Sequence, residues 1–304
     1  MPAKSVVFHE LKKFYGKYTR FLKTSDCSQL AGRAGRRGID KVGFVFCRIN
    51  LNKIKPDVVK DIVFGKSEEV KSQFNLSYAT ILNLYERYQD KLIEVYPLSL
   101  HYFQSKKYEQ KDALRLLQAK INLLKELNYI KDNILTPKAK FAQNIYGYEL
   151  ILSELYEEQV LEQLDEFDLG ILSVAVVFEP RKNQILPKLS KRTRKIKYIC
   201  EEFYSHIKQK EQKYRIYPFS KPFYFNLSPA VEGWLSGTSF QKIKLLTDTD
   251  EGEIVRYFRM AVQILREIQD AQGISYILKN KVKDTLHVLN RDIIDAEKQL
   301  RESS

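Results

Sequence analysis

Two arginines and a glutamine carry the most specific chemistry in this sequence. They lie in Gln29-Leu-Ala-Gly-Arg-Ala-Gly-Arg-Arg-Gly-Ile-Asp40. Read as a helix, the stretch places Gln29, Gly32, Arg33 and Arg36 at i, i+3, i+4 and i+7, which is one face. Two guanidiniums one turn apart, with an amide donor beside them, suit a planar, multiply charged phosphate group. Gly32 and Gly35 remove side chains where a backbone must come close, and Gly38 can end a helix at positive φ. A merely solvated basic helix would not need them, because each glycine inside a helix costs about 1 kcal/mol.

This segment resembles motif VI of the DExH-box helicases of superfamily two, Q-x-x-G-R-A-G-R-x-G-x-D, and it matches every fixed position. The resemblance implies that Arg33 and Arg36 act as arginine fingers on the γ-phosphate of ATP held by another domain. It implies an ATP site that also includes Gln29 and Gly32. Met1-Pro-Ala-Lys-Ser-Val-Val-Phe8 is similar to the stretch just after motif V in superkiller-type RNA helicases. It reads as a turn entering a strand, and Val42–Arg48 as a second strand, with the motif between them. One β-α-β unit is too small to bury a core alone. The expectation is therefore a remnant of a second RecA-like domain over residues 1–65, with the first RecA-like domain supplied in cis or in trans. The sequence holds neither G-x-x-x-x-G-K-[ST] nor D-E-x-H. The phosphate cradle and the magnesium ligands are thus expected outside it, and ATP and Mg²⁺ only in a complete helicase.

Composition bounds the rest. The chain has 304 residues, 44% of them hydrophobic, and a formal charge of +13, which favours a polyanionic partner and nucleic acid before membrane. Charge is uneven. Residues 1–53 hold twelve Lys or Arg against three acids, whereas 148–168 hold eight acids and no base. Cys27, Cys47 and Cys200 form neither a disulfide framework nor a metal knuckle, which suggests a reducing cytoplasm. No histidine or cysteine spacing suits a metal. The longest apolar run, Leu169–Phe178, is about half a membrane span, and no signal peptide is expected.

From Pro56 the pattern turns helical. Phe74–Leu84 resembles the segment that opens a winged-helix domain in superkiller-type helicases, so a winged helix is expected over 66–150. Leu117, Ile121, Leu124 and Leu127 form one stripe of an amphipathic helix over 114–127. Tyr129-Ile-Lys-Asp-Asn-Ile-Leu-Thr-Pro-Lys138 reads as a two-stranded wing turning at Asp-Asn. A DNA-reading winged helix would use Lys120 and Lys125, although fold alone does not license that role. Gln104–Asp112 is expected as a short polar loop, at the point where exosome helicases of this family carry a long insertion.

Beyond Tyr148 the chain reads as a helical bundle, 151–304. Lys188–Lys197 packs six bases into ten residues, Lys191, Arg192, Arg194 and Lys195 among them. It is either a solvated helix face or a site for phosphates. Of the aromatics that follow (Tyr198, Phe203, Tyr204, Tyr214, Tyr217), a few could stack bases, but most suit a core. Leu227–Phe240 resembles the entry to the C-terminal helical domain of superkiller-type helicases, often called DSHCT, with Trp234 as a core residue. Asp250–Glu267 resembles that domain's D-x-G-x-(I/L)-V-R helix, with Met260 where the family commonly has a second arginine. On that helix Arg256, Arg259, Gln263 and Arg266 form a polar stripe, and Val255, Phe258, Val262 and Leu265 face a core. Guanidiniums one turn apart can meet successive phosphates of single-stranded RNA, with DNA also open; the resemblance implies that this stripe lines a channel.

The expected fold is therefore mainly α: an incomplete α/β piece, a winged helix and a helical bundle. The expected function is that of the C-terminal part of an ATP-dependent RNA helicase, inactive alone. The rival is a non-catalytic nucleic-acid-binding or scaffold protein derived from such a helicase. A winged-helix transcription factor would leave the motif unexplained.

Overall fold

A computed structural model of the chain describes residues 2–14, 18–72 and 74–296. The fold is mainly α, with three small two-stranded sheets among the described residues. The chain divides into two compact units at 72/73.

In the first unit, β1 (Ser5–Phe8) pairs in parallel with β4 (Phe44–Cys47), Ser5 opposite Phe44 and Phe8 opposite Cys47. The expected β-α-β unit is present, with α1 (Thr24–Ala31) in the crossover. A hairpin of β2 (Lys12–Phe14) and β3 (Thr19–Phe21) precedes α1 and was not anticipated. The helix α2 (Pro56–Phe64) starts with proline at its first turn, where the missing N–H costs nothing. The core is small: Phe8, Leu11, Leu22, Cys27 and Ile62.

Residues 66–72 extend this unit beyond the expected limit at 65. The reason lies at the start of α1, where Lys23 offers no side-chain cap. Glu68 supplies one from forty-four residues away, accepting the backbone N–H groups of Thr24 at 2.9 Å and Ser25 at 3.0 Å. A carboxylate there satisfies orphan donors and the positive end of the helix dipole.

The second unit begins with α3 (Tyr78–Tyr88), N-capped by Ser77, then α4 (Leu92–Val95), α5 (Leu100–Gln104) and α6 (Lys107–Glu126). Leu117, Ile121, Leu124 and Leu127 are buried as the periodicity predicts. The expected loop at 104–112 is mostly helix. Glu109 reaches back to the Lys106 N–H at 2.8 Å and starts α6 at Lys107. A hairpin of β5 (Ile130–Lys131) and β6 (Ile134–Leu135) follows. Its turn residues Asp132 and Asn133 both have positive φ, as a two-residue primed turn requires.

Then come α7 (Pro137–Gln143), α8 (Glu149–Glu157), α9 (Val160–Gln163), α10 (Glu166–Val177), α11 (Lys191–Lys213), α12 (Ser228–Leu235), α13 (Phe240–Ile243), α14 (Glu251–Asp270) and α15 (Tyr276–Leu289). The apolar run Leu169–Phe178 is buried at every position. It forms most of α10, which packs against α11, α12, α14 and α15. A helix apolar all round belongs at the centre of a core.

One continuous core runs from Leu76 to Ile294. Buried polar contacts tie its elements to one another. Tyr129 donates its hydroxyl to Glu154 at 2.9 Å, and Lys138 pairs with Glu154 at 2.6 Å. Tyr78 on α3 donates to Glu211 on α11 at 2.8 Å.

Candidate phosphate and nucleic-acid sites

The motif does not form the single helical face that its spacing suggests. The helix α1 ends at Ala31 with Gly32 as its cap, so Gln29 is on the helix while Arg33 and Arg36 lie beyond it. The reason is a competing backbone pairing. Ala34 bridges Ala3 in parallel. The Ala3 N–H donates to Arg33 O at 3.0 Å, and Gly35 N–H donates to Ala3 O at 2.7 Å. The chain thus leaves the helix to extend the start of β1.

Gly35 makes this turn at φ +86°, and Gly38 makes the next at φ +79°. Beside the motif the backbone comes close at Gly43, where an added Cβ would sit 2.5 Å from the Ala34 carbonyl carbon. At Gly32 the nearest atom to such a Cβ is Ser28 O, within its own helix. The close approach expected at Gly32 therefore belongs to Gly43, which periodicity did not single out.

Gln29, Arg33 and Arg36 are all exposed. The Arg33 guanidinium has no partner among the described residues. Arg36 is held. Asp40 Oδ2 accepts Arg36 Nε at 2.8 Å and the Arg36 backbone N–H at 3.0 Å, and Oδ1 accepts Nη2 at 3.2 Å. That hydrogen bond raises the arginine further above its ordinary value and holds the Asp40 carboxyl below the carboxylate range. Asp40 orients Arg36 without enclosing it, since 44% of the Arg36 side chain stays exposed. Asp40 was visible as the last fixed residue of the motif pattern but carried no role in the site derived from spacing.

Ser190 caps α11, so the basic run starts the helix. Arg192 stays exposed but is engaged, pairing with Asp165 at 2.9 Å and Asp168 at 3.4 Å. Lys191, Arg194 and Lys195 remain exposed. Arg194 reaches only its own cap carbonyl, Ser190 O, at 3.4 Å.

The stripe on α14 forms as expected, but its members differ. Phe258, Val262 and Leu265 are buried, and Val255 is half-buried. Arg256, Gln263 and Arg266 are exposed. A shallow groove runs along Arg256, Arg259, Met260 and Gln263. Arg256 lies 4.4 Å from the Tyr257 ring and 3.7 Å from Glu253. Arg259 is committed inward: its guanidinium donates to Ile293 O at 2.7 Å and Ile294 O at 3.1 Å. It holds the 3₁₀ turn Asp292–Ile294 against α14.

Lys120 and Lys125, the residues a DNA-reading helix would use, both have partners within the chain, Lys120 inward and Lys125 at the surface. Lys120 donates to Leu76 O at 2.6 Å beneath the Tyr78 ring, and burial lowers its pKa. Lys125 pairs with Asp90 at 2.8 Å. Both are engaged in the fold, in keeping with the reservation that a winged-helix fold alone does not license a reading role.

Trp234 is fully buried, donating its indole N–H to Leu289 O at 2.9 Å, with the Arg291 guanidinium 3.6 Å from its ring. Among the described residues, no three His, Cys, Asp or Glu side chains gather to hold a metal ion. No described helix is long and apolar enough to cross a membrane.

Comparison with known proteins agrees with this layout. The DSHCT (NUC185) domain family matches residues 132–297, more than half the chain. The ATP-dependent RNA helicase mtr4 of Schizosaccharomyces pombe is 45% identical over 84 residues, 28% of this chain and 7% of that protein. The exosome RNA helicase MTR4 of Homo sapiens is 28% identical over 158 residues, 52% of this chain and 14% of that protein. Superkiller complex protein 2 of Mus musculus is 30% identical over 182 residues, 58% of this chain and 14% of that protein. The matches span only a small part of each relative's length. Together with the mainly α architecture, they show that this chain belongs to the DSHCT-domain family and corresponds to the C-terminal region of a superkiller-type DExH-box RNA helicase.

Proposed function

We propose that this chain is the C-terminal part of an ATP-dependent RNA helicase, contributing phosphate-contacting arginines and a single-strand RNA surface rather than a complete catalytic centre. The observation that carries the proposal is the motif turn: Arg33 unpartnered and exposed, Arg36 aimed by Asp40. In this reading both guanidiniums meet the γ-phosphate of ATP bound by RecA-like domains supplied in cis or in trans. They offset charge developing on the transferred phosphoryl group, an effect of roughly 10³–10⁵ in rate when a finger is in place. Gln29, on the last turns of α1 and next to the Gly32 cap, senses the nucleotide.

In this reading Mg²⁺ comes with the nucleotide, held by the phosphates and by the RecA-like domains that bind it. The α3–α6–β5–β6 segment serves as a winged-helix connector over 66–150. The helical part, 151–304, holds RNA through the exposed cations of α11 and α14. Three free thiols suit a reducing cytoplasm.

One observation favours a second reading, a non-catalytic RNA-binding or scaffold protein of helicase descent. The sequence holds no Walker A or DExH motif. ATP turnover separates the two. The purified chain alone hydrolyses no ATP. With the RecA-like domains of a relative such as S. pombe mtr4 added in trans, RNA-stimulated hydrolysis appears and is lost with Arg33→Ala or Arg36→Ala. Stimulation insensitive to both substitutions overturns the finger role. RNA-stimulated hydrolysis by the chain alone, lost with Arg36→Ala, overturns the need for a partner.

A further inference from the structure

The outer face of α11 has an arrangement that charge counting does not reveal. Lys191, Arg194, Lys195 and Tyr198 stand at i, i+3, i+4 and i+7, and all four are exposed. The opposite face, with Thr193, Ile196, Cys200 and Ile207, is buried. Tyr198 is 71% exposed, and its ring and hydroxyl have no partner among the described residues. The neighbouring aromatics behave differently: Phe203, Tyr204 and Tyr214 pack against the core. The two bases on the flanks of the face already have carboxylate partners, Arg192 in Asp165 and Asp168, Lys197 in Glu201. Lys191, Arg194 and Lys195 have no carboxylate within ion-pair distance among the described residues, and they surround one open ring.

Single exposed aromatics are common on protein surfaces and need no explanation. The surroundings distinguish this one. Three cations in the first two turns of a helix oppose its dipole; Asp168 offsets part of that cost at Lys195, and a further anion would offset the rest. A single nucleic-acid strand brings both missing partners, phosphates for the cations and an unpaired base for the ring. The face from Lys191 to Tyr198 is roughly 10 Å long along the helix axis, enough for a short stretch of strand. It ends at Glu201 and Glu202, exposed at i+3 and i+4 from Tyr198, which turn phosphates away.

We propose that Tyr198 is a base-stacking platform and that Lys191, Arg194 and Lys195, without Arg192, hold the phosphates of single-stranded RNA on either side of it. This rests on the RNA-binding reading above and names the residues of one subsite. Contact is independent of sequence, because every base offers a π-face, and it is specific for single strands, because paired bases are stacked away.

The test is a salt titration of the whole chain with oligo-A, oligo-U and a duplex RNA of equal length, for wild type, Tyr198→Ala, Tyr198→Phe and Lys195→Gln. Tyr198→Ala weakens binding to both single strands by roughly 5- to 140-fold at every salt concentration, the equivalent of about 1–3 kcal/mol per stacked base, and leaves the slope of log K against log salt unchanged. Tyr198→Phe binds like wild type. Lys195→Gln flattens the slope by roughly 0.7. Tyr198→Ala also removes the preference for single strand over duplex. Because Tyr198 is exposed, these variants keep the wild-type fold, which circular dichroism checks. If Tyr198→Ala binds as wild type while Lys195→Gln flattens the slope, the platform is overturned and the RNA reading stands. If wild type binds none of the three RNAs, the RNA reading itself falls.

Discussion

Asp40 grips Arg36 three times, through Nε, Nη2 and the backbone N–H, four residues away in a turn that no longer belongs to α1. The grip fixes where an otherwise mobile guanidinium points, and a pre-oriented donor loses less entropy on meeting a phosphate. It predicts an order of effects in the complemented ATPase. Arg36→Ala lowers kcat by roughly 10³-fold or more. Asp40→Asn, which keeps the shape but weakens the hold, lowers it less. Equal losses would show that Asp40 is needed for more than aiming Arg36.

Glu68 makes the start of α1 sensitive to pH. The Ser25 hydroxyl and backbone N–H hold its carboxyl down from 4.5 to about 2. A folded-state value below the unfolded one means that the cap contributes fully above pH 4.5 and is lost as pH falls through about 2. Amide exchange in α1, corrected for intrinsic rates, should therefore accelerate over that window in wild type. Glu68→Gln should already exchange fast at pH 6 and show little further change. Parallel profiles for the two proteins would remove Glu68 from the capping role.

The small core of the first unit predicts a difference in local stability. Among the described residues, five buried apolar side chains form the core of the first unit, against a continuous core from Leu76 to Ile294 in the second. Hydrogen exchange should find α1 and β4 opening well before α10 and α14. Equal protection in the two units would contradict this.

Arg256 and Arg259 look equivalent on a helical wheel and should behave differently. Arg256→Ala should flatten the salt dependence of RNA binding by roughly 0.7 and leave unfolding almost unchanged. Arg259→Ala should chiefly destabilise the protein, by about 1–3 kcal/mol, because two backbone carbonyls lose their donor. Urea unfolding followed by circular dichroism reads the second effect and a binding titration the first. An unaltered urea midpoint for Arg259→Ala would return that residue to the RNA surface.

Trp234 is the buried hub of the C-terminal helices. Trp234→Ala should cost about 3–5 kcal/mol through the cavity it leaves. Trp234→Phe should cost less, but it removes one of the two donors to Leu289 O, the Arg291 backbone N–H being the other, and shrinks the surface on which Arg291 stacks. Urea midpoints for the two variants give the comparison. An unchanged midpoint for Trp234→Ala would rule out the hub.

The local code of the chain determined much of this protein. The stripe Leu117–Ile121–Leu124–Leu127, the buried run of α10, the Asp132–Asn133 turn and the core face of α14 all follow from periodicity and turn chemistry, which act between near neighbours. The parallel strands around the motif were legible for the same reason, and the residue patterns of the motif and of 227–267 were enough to indicate the family.

Tertiary structure decided what each charged side chain is for. Spacing alone made Arg33 and Arg36 neighbours on a helix, but pairing of Ala34 with Ala3 ended that helix and left Asp40 to orient Arg36. Spacing likewise made Arg192 equal to Lys191 and Arg259 equal to Arg256. Asp165, from another helix, claims the first, and the carbonyls of Ile293 and Ile294 claim the second. Glu68 caps a helix forty-four residues earlier in the chain. Such partners meet only when distant segments pack together, so no local pattern could announce them. Periodicity says which residues share a face; the packed fold says which of them are left free to meet a ligand.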